Sequence, residues 1–166
     1  MDLKTGLLNE IKHEATVTRR MLALVPFDKA TWKPHEKSME MQKLAKHIAS
    51  IPTWISRIVT TTEMDFANGR PSAVADLKNT EELLALFDNN TAQAIKDVEA
   101  TTNEALMETW TMRDGEKIFY SHPRVAIIRN MAQNHNVHHR GQLSVYLRLS
   151  GVALPSVYGS TADVPM

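Results

Sequence analysis

The sequence predicts an all-α protein, a four-helix bundle with one small β-hairpin excursion before the last helix. Three observations predict it. Apolar residues recur at helical spacing over four long stretches, the connections are mostly short, and one stretch alone turns to β-branched and aromatic residues around a tight-turn dipeptide.

The chain has 166 residues, 43% of them apolar, enough to bury one sizeable core. No repeat, low-complexity tract or Gly/Ser linker divides it, so a single domain over residues 1–166 is expected. Nineteen Lys plus Arg balance nineteen Asp plus Glu, giving a formal net charge of zero. No global field draws such a chain to nucleic acid or an acidic membrane, and a small-molecule partner is expected instead. There is no cysteine, which removes disulfides, thiolate zinc sites and thiol nucleophiles together. His, Asp and Glu remain as metal ligands. The N-terminal segment MDLKTGLLNEIKHE breaks its apolar residues with charge, and no stretch approaches the roughly 18 apolar residues of a membrane span. A cytoplasmic protein is expected.

Leu7, Leu8, Ile11, Ala15, Leu22 and Val25 share a face of the first helix, which ends near Val25, before Pro26 and Trp32-Lys33-Pro34. Ser38 caps the second helix, which starts about Met41 and carries Leu44, Ile48, Ile51, Ile55 and Ile58 toward Met64. Pro52 lies within it and predicts a kink. Asn68-Gly69-Arg70-Pro71 reads as a turn, and Thr80 then caps a third helix with Leu83, Leu84, Phe87, Ala94, Ile95 and Val98 on its apolar face.

Between Thr109 and Tyr120 the pattern changes to that of a two-stranded hairpin turning at Asp114-Gly115. Pro123 suits the first turn of the fourth and longest helix, whose stripe of Val125, Ile128, Ala132, Leu143, Tyr146 and Leu149 runs until Gly151.

The run His135-Asn136-Val137-His138-His139-Arg140 carries the chemistry. At about 100° per residue, His135 and His139 differ by roughly 40° and can converge on one ion. Relative to His135, Ile128 and Tyr146 fall near roughly +20° and Met131 and Leu149 near about −40°, so this pair points inward. His138 falls at the flank, near about −60°, which makes His135 with His138 the competing geometry. Two imidazoles underligate a metal. His47, beside Leu44, Ile51 and Ile58, offers a third from the second helix, although a lone histidine on an apolar face is more often a hydrogen-bonded core residue. His13 faces solvent, and His35 and His122 belong to loops or helix starts. The spacing lacks the glutamate of a zinc-protease helix.

Glu14, Thr18, Trp54, Gln142 and Tyr146 share the buried arc, chiefly as packing or as hydrogen-bond partners of the histidines. Glu14 is the candidate catalytic residue, a general base if it faces an open metal position and equally a member of a surface ion pair. Arg140, about 140° from His135, and Arg148 read as solvent- or interface-facing.

The run from His135 through Leu143, with Tyr146-Leu147-Arg148-Leu149-Ser150-Gly151, Pro155 and Tyr158-Gly159, resembles the C-terminal signature of DinB-like proteins. Leu44-Ala45-Lys46-His47-Ile48 resembles that family's second-helix motif. The resemblance covers nearly the whole chain. It implies a four-helix bundle with a long crossover, usually a homodimer, with nickel, zinc or another divalent ion on three histidines, which match His47, His135 and His139 here. Three imidazoles leave a coordination position open for a water, whose pKa would fall toward about 7, or for a substrate thiolate. The expected function is therefore a metal-dependent enzyme, a hydrolase or thiol S-transferase. The alternative is a nonenzymatic dimer in which the metal is structural or sensing. Damage-inducible naming suggests nucleic acid, but the balanced charge and the absence of a basic stripe speak against it.

Overall fold

A computed structural model of the protein describes residues 2–69 and 74–165. The helices are α1 (Leu3–Leu22), α2 (Met41–Ser50), α3 (Pro52–Thr60), α4 (Thr80–Ala100), α5 (Asn103–Met107), α6 (Arg124–Ile128) and α7 (His135–Leu149). Among the described residues three strands, β1 (Glu63–Asp65), β2 (Thr109–Asp114) and β3 (Lys117–Pro123), form one sheet in that order. The chain is thus mostly helical with a small sheet, as expected, but its helical residues fall into more segments than four. Among the described residues no helix is long and apolar enough to cross a membrane.

Among the described residues, two interruptions account for two of the three extra segments, and the third is the short α5, which the sequence reading did not include. Pro52 has no N–H to give to the ladder, so the expected second helix divides there into α2 and α3 and ends at Thr60, short of Met64. The last helix is continuous in chain but passes through six π-helical residues, Arg129–Asn134, between α6 and α7. A π turn takes more residues per turn than an α turn, so residues before and after it do not share one straight-helix phase.

The boundaries differ from expectation in local detail. Ser38 does not cap α2, which starts at Met41 behind Glu40 without a side-chain cap. Asn79 rather than Thr80 caps α4, its side chain accepting from the Glu82 N–H at 2.8 Å while the Glu82 carboxylate accepts from the Lys78 N–H. α1 ends at Leu22, with Val25 buried just beyond. Of the expected turn Asn68-Gly69-Arg70-Pro71, Arg70 and Pro71 lie outside the described residues, while Gly69 has φ 110°.

The hairpin forms as expected, β2 pairing antiparallel with β3 around Gly115, whose φ of 57° is left-handed. It extends to Pro123, so His122 lies on a strand opposite Trp110 rather than in a loop. The sequence reading missed β1, which pairs parallel to β2 from Glu63 opposite Thr111 to Asp65 opposite Arg113. Three residues are too few to show a period.

Apolar burial falls into two clusters. One gathers Leu7, Ile11, Ile55, Ile58, Ala94, Trp110, Ile127 and Ala132; the other gathers Met21, Leu22, Leu44, Ile48, Phe87, Leu143 and Leu147. Along α1 the residues between Ile11 and Met21 include buried Glu14 and Thr18, and along the last helix those between Ala132 and Leu143 include Asn136, His139 and Arg140. A polar layer therefore crosses the molecule between two dry clusters.

Candidate metal centre

α2 packs on α7, and at that contact the rings of His47, His135 and His139 meet. His47 stands on α2 next to Ile48, which belongs to one apolar cluster, and one turn before Ile51, which belongs to the other. His135 and His139 stand one turn apart on α7, so their rings stack along one face. The His135 Nε2 lies 2.8 Å from His139 Nε2 and 3.2 Å from His47 Nε2, and one nitrogen from each ring falls within 4.8 Å of the others.

The opposite ring nitrogens fix the tautomers. The His139 Nδ1–H donates to Gln142 Oε1 at 2.7 Å, and the His135 Nδ1–H donates to the Met131 carbonyl at 3.3 Å. The His135 backbone N–H bonds Ala132 O at this end of the π-helical stretch. With both Nδ1 atoms protonated, both Nε2 atoms present bare lone pairs, and two lone pairs at 2.8 Å repel unless they share a cation. Nitrogens that share a zinc-sized ion at about 2.0–2.1 Å stand about 2.9–3.4 Å apart. The donor set fits a divalent metal. Burial, followed by the neighbouring His139 and His135 rings, pushes His47 down to about 4. Burial also lowers His139, with His135 and His138 adding to it and the Gln142 contact opposing. At neutral pH both rings are neutral, the form that binds metal.

Of the two competing geometries, the structure brings together the one with His139. His138 is exposed and outside the convergent set, while His139 is buried within it. His13, His35 and His122 are all exposed. The buried arc of α7, however, is displaced from the one expected. Leu149 is 61% exposed and Gln142 is exposed, whereas Arg140, expected at solvent, is 3% exposed. Counting from His135 at about 100° per residue, the buried residues Tyr146, His139, Leu143, Asn136, Leu147 and Arg140 span about 20° to 140°. The histidine pair lies at one rim of that arc and Arg140 at the other, an offset hidden because a polar partner rather than an apolar one covers Arg140.

That partner is Glu14. Its Oε2 takes an ion pair from Arg140 Nη1 at 2.7 Å and a hydrogen bond from the Tyr158 hydroxyl at 2.7 Å. Arg140 also donates to the Thr18 hydroxyl at 3.0 Å and bonds Tyr158, and Asn136 donates to the same Thr18 oxygen at 3.0 Å. Glu14 is thus one side of a buried ion pair and is not among the convergent metal-ligand groups. Tyr146 donates to the Met39 carbonyl at 3.0 Å and packs edge-on against Trp32. Arg148 is exposed and pairs with Asp163, as its position suggested.

A cleft of about 390 Å³ opens beside the cluster, lined by His47, Ser50, Ile51, Thr53, Trp54, Arg57 and Val74. Trp54 was expected near the site; Arg57 was not. A signal for it existed, since an arginine flanked by Thr53, Trp54, Thr60 and Thr61 at its helical neighbours has no carboxylate to meet within its own helix.

Comparison with known proteins adds the family. No functionally curated protein matches the chain. A dinB-like protein, YjoA, from Bacillus subtilis shares 21% identity at a TM-score of 0.70, covering 94% of this chain and 99% of that one. A dinB-like protein from Bacillus cereus shares 19% at a TM-score of 0.73, covering 93% and 97%. At this identity the two show a common fold. The DinB family model matches residues 1–164. With the three-histidine group in place and the match running almost end to end, the chain belongs to the DinB family.

Proposed function

We propose that the protein holds a divalent metal ion on His47, His135 and His139 and uses it as a metal-dependent enzyme, a hydrolase or thiol S-transferase. The observation that carries this reading is the convergence of three Nε2 atoms whose two α7 rings are already held in the metal-ligating tautomer. Imidazole donors suit zinc and nickel, the two ions the family resemblance favours. A bound ion would supply Lewis acidity, lowering the pKa of a water or thiol so that it attacks as the anion. The chain's own residues do the rest. Gln142 and the Met131 carbonyl aim the rings, Ile51 lines the cleft with His47, and that cleft gives a small molecule a way in. That cleft favours catalysis over a purely structural or sensing metal, because a structural site is closed. The same reading takes residues 1–166 as one domain, a bundle of four long members in which α2 with α3 and α6 with α7 each count as one, working as a cytoplasmic homodimer.

The test is metal content by elemental analysis on untagged protein. About one ion per chain is expected in the wild type and in His138→Ala, with loss in His47→Ala, His135→Ala and His139→Ala. A metal-free wild type, or loss through His138 instead of His139, overturns the assignment. A positive result directs a screen of thiol transfer and hydrolysis.

A further inference from the structure

We infer that Arg57 is the anion-binding subsite of the cleft, and that the cleft takes a small organic carboxylate whose charged end lies on Arg57 and whose other end reaches His47. Its orientation rests on the metal reading above; the binding of the carboxylate does not.

Arg57 sits in the last turn of α3 and lines the same cleft as Trp54 and His47. It is partly buried, and its guanidinium makes no ion pair among the described residues; Nη1 donates to the Met64 sulfur at 3.2 Å. A thioether is a weak acceptor and carries no charge to balance a cation. The other cation at this end, Lys46, is already held by Asp76 at 2.8 Å and by the Val74 carbonyl at 3.1 Å. The hydroxyls of Ser50 and Thr53 donate to helix carbonyls, at 2.8 and 2.7 Å. Arg57 is therefore the cleft's uncommitted charge. A guanidinium offers a planar fork that matches a carboxylate in two parallel hydrogen bonds, and partial burial strengthens such a pair. The Trp54 indole, three residues earlier, supplies an apolar wall for the body of the ligand. The cleft volume lies within the range of small-molecule sites.

The probe is benzoate, with benzamide as its uncharged counterpart, titrated into the full chain after metal removal by chelator and again after zinc loading. The readout is the indole N–H resonance of Trp54, identified by its loss in Trp54→Phe, with circular dichroism confirming that each variant folds. Benzoate should shift this resonance saturably in the metal-free protein, and benzamide should not. Arg57→Gln should weaken benzoate binding about tenfold or more, and Arg57→Lys, which keeps the charge and loses the fork, should fall between. Equal binding of the two probes, or benzoate binding unchanged in Arg57→Gln, overturns the subsite. Benzoate binding that requires zinc and survives Arg57→Gln also overturns it, while leaving the metal reading intact. Arg57-dependent binding to a chain that takes up no metal supports the subsite and removes the metal reading.

Discussion

Gln142 is exposed, yet it sets which nitrogen of His139 is free for the cluster, because its amide oxygen accepts a hydrogen bond from Nδ1–H, which keeps the proton on Nδ1 and off Nε2. At the same scale, burial of His47 has a thermodynamic consequence. In the unfolded chain the ring titrates near 6.5, and in the folded chain it is pushed down to about 4. Between those values the unfolded state binds more protons, so the metal-free fold loses stability as pH falls through that window and gains nothing from this ring above it. After discount for the ring's partial exposure to water, the loss amounts to at most about 2 kcal/mol. Urea unfolding of chelated protein at pH 7 and pH 4.5 should show it as a drop larger than that of His47→Gln, which cannot titrate. Equal pH dependence in the two proteins would mean that His47 is not held neutral by the fold.

At the scale of elements, the interruptions place the chemistry. Pro52 ends the ladder one turn past His47, and the π-helical residues before His135 set the phase with which α7 presents its histidines. Had Arg129–Asn134 been α-helical, the buried faces of α6 and α7 would follow one another with a different offset. The helix that braces α2 from behind is α4, and its start depends on Asn79, which satisfies an amide the helix itself leaves open. Asn79→Ala should cost about 1 kcal/mol, measured as a lower urea midpoint with unchanged slope. Because Asn79 contacts neither the cluster nor the cleft, metal content should stay at the wild-type level; a fall in it would mean that α4 does more than brace.

At the scale of the whole molecule, the polar layer between the two apolar clusters is held by Glu14 and Arg140 as much as by the histidines. The pair ties α1 to α7, and Tyr158 brings the C-terminal segment onto both. A buried pair adds little over apolar residues of the same volume, but removing one partner strands the other charge. Arg140→Ala should therefore destabilise the protein by about 3–5 kcal/mol, whereas Arg140→Met with Glu14→Leu should recover most of that loss in thermal unfolding. A double variant no more stable than Arg140→Ala would show that the layer contributes more than charge compensation.

The sequence by itself determined the helical class, the hairpin turn at Gly115 and the i,i+4 spacing that lets His135 and His139 share a face, because helical spacing and turn chemistry are local properties of a few consecutive residues. It also placed His47 at the edge of the apolar stripe of the second helix, where the ring is half-buried beside Leu44 and Ile48 in sequence. The tertiary structure alone decided the rest. Arg140 is buried by Glu14, 126 positions away in the chain; β1 exists through its pairing with β2; and Arg57 lines the cleft of His47 by the packing of its helix. Each of these depends on a partner distant in sequence, whose position no local period encodes, and the π-helical turn shifted the phase on which a straight-helix projection of the last helix relied.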